Sequence, residues 1–125
     1  MRLWLGLGLL ALAGCDDHVF VQTSHGDVDC DREPPRTWEN YGRGEMGLTC
    51  AGCHSSLYTG VRRNGAPEGV DLDTLDGVVL WVDRVLDRTI DQRDMPPGGG
   101  LSEYDLAALE EWLVCDVQPR ADAVR

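Results

Sequence analysis

Lysine is absent from this chain of 125 residues: all 11 basic side chains are arginine, set against 22 aspartates and glutamates for a formal net charge of −11. That balance argues against nucleic acid as a partner and against electrostatic docking on anionic lipid. The complement of such a surface is a protein with a basic docking face, although acidity also serves plain solubility. Large aromatic side chains are scarce as well, with one phenylalanine, four tryptophans and three tyrosines. A single domain of this size buries a modest fraction of its surface, so its core is thin. No apolar run reaches the ~20 residues that a membrane-spanning helix needs. Strand and helix patterns do not alternate, which removes the usual context of a parallel α/β sheet.

The N-terminus carries an export signal instead of a span. After Met1-Arg2 come residues 3–14, uncharged and mostly leucine, alanine and glycine, with the length of a secretory apolar segment. Leu12-Ala13-Gly14-Cys15 resembles the lipobox of bacterial lipoproteins. The resemblance implies cleavage after residue 14, acylation of Cys15, and a lipid anchor on the inner or outer membrane of a bacterial envelope. An ordinary signal peptide and a short buried helix are the alternatives. Residues 15–36 are acidic, contain Pro34-Pro35 and hold no sustained period, so they read as an irregular tether. His18 and His25 fall in it and read as ordinary polar residues.

Cys50-Ala51-Gly52-Cys53-His54 is the motif with chemistry in it. Thiols at i and i+3 lie on one face of a helical turn, and the imidazole that follows projects toward the same side. The pattern fits covalent attachment of one haem c, each cysteine joining a vinyl group and His54 binding the iron. The competing readings are a zinc half-site, a redox dithiol, or two structural cysteines beside an unrelated histidine. Zinc wants a second ligand pair that the sequence does not offer, and a redox dithiol belongs to a βαβ context. A porphyrin would also supply core volume that the side chains lack. With Cys15 assigned to lipid and Cys50 and Cys53 to haem, Cys30 and Cys115 remain of the five cysteines. In an oxidising compartment these two suggest a disulfide tying the tether to the last helix.

Helical signals fill residues 37–118. Thr37 is a candidate N-cap for a helix carrying Trp38, Tyr41, Glu45 and Leu48. Gly42, Gly44 and Gly47 weaken it by roughly 1 kcal/mol each relative to alanine, and close helix–helix approach would explain them. Asp71 to Thr74 precede a second helix, with Leu75, Val78, Val79, Val82, Val85, Leu86 and Ile90 as its apolar stripe. Ser102-Glu103-Tyr104-Asp105 resembles a capping box opening the last helix, striped by Leu106, Leu109, Trp112 and Leu113. Residues 119–125 read as a polar tail.

Over residues 37–115 the chain resembles the class I c-type cytochromes, through the CxxCH motif, the Met95-Pro96 loop and the closing helix. The resemblance implies an all-α cytochrome c fold of three to four helices around one haem. Its helix crossing uses a glycine eight residues before the first haem cysteine and a bulky residue four before it. Gly42 and Met46 hold those positions, although the family usually places an aromatic at the second; their partners would be Leu109, Trp112 and Leu113. Pro67 is the family-type candidate to accept a hydrogen bond from His54 through its carbonyl. Met95, between a helix end and a Pro-Pro-Gly-Gly-Gly loop, is the candidate sixth ligand, with Met46 a weaker one. Arg62 and Arg63 either pair with haem propionates or face water, and Trp81 either packs at the haem edge or is a structural tryptophan. The implied activity is outer-sphere electron transfer to a redox partner protein, not enzymatic turnover. A haem-containing oxidoreductase subunit, a peroxidase-like enzyme and a sensory or structural lipoprotein are the alternatives.

Overall fold

Thr37 begins the first helix with a reciprocal cap. Its hydroxyl accepts from the Asn40 N–H at 3.4 Å while the Asn40 side-chain oxygen accepts from the Thr37 N–H at 2.7 Å. In the computed structural model, which describes residues 25–125, helix α1 then runs as a wide π-type turn, Trp38–Gly42, continued by Arg43–Thr49. Helix α2 comprises Leu75–Leu86 and a π-type turn, Asp87–Asp91. Helix α3 comprises Glu103–Trp112, Leu113–Val117 and Gln118–Asp122 without a break. A single 3₁₀ turn, Gly60–Arg63, lies between α1 and α2. The architecture is all-α, with no strand among the described residues.

The expected caps form. Thr74 Oγ1 accepts from the Gly77 N–H at 3.1 Å, and Ser102 Oγ and Asp105 exchange hydrogen bonds across the start of α3. On α1 the buried side is Trp38, Gly42 and Met46, an i, i+4 stripe. Leu48, expected on the apolar face, is 88 % exposed. The stripe turns because Trp112 of α3 packs against the helix at Gly42, where an added Cβ would meet its Cζ2 at 2.2 Å. Trp38 and Tyr41 complete the aromatic contact, with ring centroids 6.2 and 5.9 Å from Trp112. Gly44 and Gly47 face open space, so close approach explains Gly42 and not its neighbours. Met46 is fully buried in one cluster with Leu109, Trp112 and Leu113, a burial that contributes roughly 1.5–3 kcal/mol.

Two segments are more structured than their composition suggests. Residues 119–125, expected as a polar tail, continue α3 to Asp122, bury Ala121 and end in an ion pair from Arg125 Nη2 to Asp83 Oδ2 on α2 at 2.5 Å. Pro119 does not stop the helix, because the π-type turn before it has already shifted the backbone ladder, with Gln118 N–H reaching Leu113 O. Residues 25–36 are irregular, as expected, but they are not a free tether. Cys30 is bonded to Cys115 with Cα atoms 5.5 Å apart, Arg36 Nη1 meets Glu111 Oε2 at 2.7 Å, and His25 Nδ1 meets Glu110 Oε1 at 2.7 Å. Closing a loop of 85 residues stabilises the fold by about 4–5 kcal/mol on chain-entropy grounds. Residues 1–24, including the expected signal segment, the acylated Cys15 and His18, lie outside the described residues.

Candidate cofactor site

The CxxCH pentapeptide follows directly from α1. Cys50 N–H reaches Met46 O at 3.0 Å, and Cys53 and His54 both return their N–H groups to Cys50 O, at 3.2 and 2.9 Å. The motif is therefore one closed backbone turn. Cys50 and Cys53 are free, half-buried thiols, in contrast to the bonded Cys30 and Cys115. Burial pushes the Cys50 thiol above its ordinary pKa, against a weaker opposing hydrogen bond from Thr49. A redox dithiol needs the reverse, a thiolate favoured by its surroundings.

His54 is held by a backbone acceptor. Its Nδ1 lies 2.9 Å from Val70 O, and since a carbonyl only accepts, the proton resides on Nδ1 and the Nε2 lone pair is left for a metal. The expected acceptor was the Pro67 carbonyl. That oxygen instead takes a hydrogen bond from Arg63 Nη2 at 2.7 Å, and the loop brings Val70 to the ring. The loop is pinned at its base, with Leu72 N–H on His54 O at 2.8 Å. Asp73 Oδ2 adds a second clamp, accepting from the hydroxyls of Ser55 and Ser56 at 2.9 Å each and from the Ser56 N–H at 3.0 Å. Burial alone would raise the Asp73 pKa, but these hydrogen bonds, led by the Ser56 N–H, hold it below the usual carboxylate value.

The remaining expected residues divide. Arg63 is 2 % exposed, and all five of its N–H groups are taken up by acceptors within the protein. It neither faces water nor keeps a donor for a propionate. Arg62 is exposed and lies over the Tyr58 ring at 4.9 Å. Trp81 donates its indole N–H to Gly69 O at 3.0 Å, a structural tie between α2 and the loop. Met95 is half-buried beside a cavity of about 140 Å³ formed with Thr89, Arg93, Pro96, Gly99, Leu101, Glu103 and Leu106. None of Cys50, Cys53 or His54 lines that cavity, so the structure gathers the pentapeptide and leaves Met95 on a separate loop. Gly98, Gly99 and Gly100 all have positive φ in that loop, a backbone that side chains resist.

Val70 and Asp73 were not legible as site residues. Val70 acts through its carbonyl and has no side-chain signature, while Asp73 sits among cap-like residues whose only visible role was the start of α2. Among the described residues, no group of three or more His, Cys, Asp or Glu side chains converges as a metal site would require. The two free thiols of Cys50 and Cys53 and the His54 imidazole, close in sequence on one turn, are the groups that a haem attached through thioethers would use. No protein-family model matches the chain, and neither a curated protein nor a solved structure matches it at a significant level.

Proposed function

We propose that this chain is an exported cytochrome of the class I c type, carrying one covalently attached haem and passing single electrons between partner proteins. The observation that carries the reading is the division among the described cysteines. Cys30 and Cys115 are bonded to each other, while Cys50 and Cys53 remain thiols on one turn with a histidine whose Nδ1 is already engaged. The all-α frame and the α1–α3 crossing at Gly42 and Trp112 support the same family reading.

When bound, haem supplies a one-electron Fe(III)/Fe(II) couple. The chain's residues do the rest. Cys50 and Cys53 would hold the group by two thioethers, and His54, its tautomer set by Val70 O, would offer Nε2 to the iron. Met95 is the proposed second ligand, a thioether on the 92–101 loop, and a His/Met pair suits electron transfer over oxygen activation. The acidic surface suits a basic redox partner. Cleavage after residue 14 and acylation of Cys15 would hold the domain at a bacterial membrane.

The test is to produce the full chain in a host with haem-attachment machinery and to record its intact mass and its absorption spectra. One added haem on the 50–54 segment is expected, with sharp low-spin bands when reduced and a weak far-red sulfur-to-iron band when oxidised. Unmodified Cys50 and Cys53 in exported protein would sink the reading. Carbon monoxide binding to the native reduced protein at neutral pH would instead favour an enzyme with a displaceable sixth ligand.

A further inference from the structure

Arg63 is the one charged side chain fully enclosed among the described residues. Its fork reads the inside of the 55–71 loop. Nε donates to Ala66 O at 3.3 Å, Nη1 to Ser55 O, Tyr58 O and Asp71 Oδ1 at 2.8, 3.2 and 2.8 Å, and Nη2 to Pro67 O and Val70 O at 2.7 and 2.9 Å. The last of these is the acceptor that His54 Nδ1 also uses, likewise at 2.9 Å. One carbonyl oxygen, with two lone pairs, thus serves a buried cation and the candidate iron ligand together.

From this shared carbonyl we infer that Arg63 is a positioning residue that sets how strongly His54 donates to iron, and so holds the reduction potential up. The inference rests on the electron-carrier reading above. A cation bonded to Val70 O draws density from it and makes it a poorer acceptor for the imidazole N–H. The ring then gains less imidazolate character, and Nε2 donates less to Fe(III). A fixed positive charge behind the ligand works in the same sense, since it disfavours the more highly charged oxidised state. Asp71 opposes both effects: its Oδ1 is 2.8 Å from Nη1 and its side chain is 29 % exposed. Glu68 lies farther off, 3.9 Å from Nε, and its 61 % exposure leaves it screened.

A residue that only pinned the loop would change stability. A residue that tunes the ligand makes two variants move the potential in opposite directions. The measurement is the midpoint potential of the full haem-loaded protein by spectroelectrochemistry, with the NMR position of the His54 Nδ1 proton in the reduced state. In Arg63→Gln the oxidised-to-reduced ratio at a fixed ambient potential should rise about tenfold, equivalent to a midpoint fall of about 59 mV for one electron, and the Nδ1 proton should shift. In Asp71→Asn, where the cation stays and its counter-charge goes, the ratio should fall several-fold. Arg63→Lys keeps a charge and loses the fork, and should lie between Arg63→Gln and the unaltered protein. If Arg63→Gln does not accumulate, Asp71→Asn decides alone: an upward midpoint supports the inference and an unmoved one overturns it. Shifts in one common direction, or ratios within twofold of the unaltered protein, also overturn it. An unaltered protein without covalent haem would sink the electron-carrier reading itself, and this inference with it. Normal haem with insensitive potentials would sink the Arg63 inference alone.

Discussion

Trp112 fills the space that a side chain at Gly42 would need: a methyl group on the glycine would sit 2.2 Å from the indole Cζ2. Gly42→Ala should therefore cost about 1–3 kcal/mol by overpacking, visible as a lower urea midpoint. Gly44→Ala and Gly47→Ala meet open space and should be neutral or stabilising by up to about 1 kcal/mol. Equal losses at all three positions would contradict the crossing described.

The bond between Cys30 and Cys115 closes 85 residues of chain. Replacing both cysteines by serine should lower stability by about 4–5 kcal/mol, read from denaturant titrations of the otherwise unaltered protein. A loss below about 1 kcal/mol would mean that the segment from residue 25 is held by its ion pairs alone.

Asp73 predicts an acid-sensitive step in the loop that carries the His54 acceptor. Its folded pKa is depressed, so its contribution is complete above the unfolded carboxylate value of about 3.9 and is lost as pH falls through the lower folded value. Asp73→Asn should cost on the order of 1 kcal/mol near neutral pH. The gap between variant and parent in urea midpoint should close as pH drops through that range. A gap that persists below the folded value would show that the carboxylate's charge is not what the serines hold.

The last turns of α3 give a fourth expectation. Truncation after residue 117 removes buried Ala121 and the Arg125–Asp83 pair and should cost roughly 1–2 kcal/mol in the thermal or urea transition. An unchanged transition would return residues 118–125 to the status of a tail.

Much of the frame was legible because its signals are local. Thr37, Thr74 and Ser102 announce helix starts by side-chain chemistry alone, and the α2 stripe follows from spacing. What was not legible depended on where distant elements land. Three glycines looked alike on α1, and the position of Trp112 separates Gly42 from the others. Arginine ordinarily marks a surface, and Arg63 is enclosed because the carbonyls of its own loop converge on it, which no side-chain pattern records. The acceptor for His54 moved from Pro67 to Val70 for the same reason. Acid and proline made residues 25–36 look loose, but Cys30, Arg36 and His25 bind that segment to α3.

That docking shortens the leash. Should Cys15 carry acyl chains, about ten residues separate it from His25, a contour of at most about 35 Å when fully extended, where a tether free to residue 36 would span about twice as far. The folded domain would then be confined within that distance of the lipid surface.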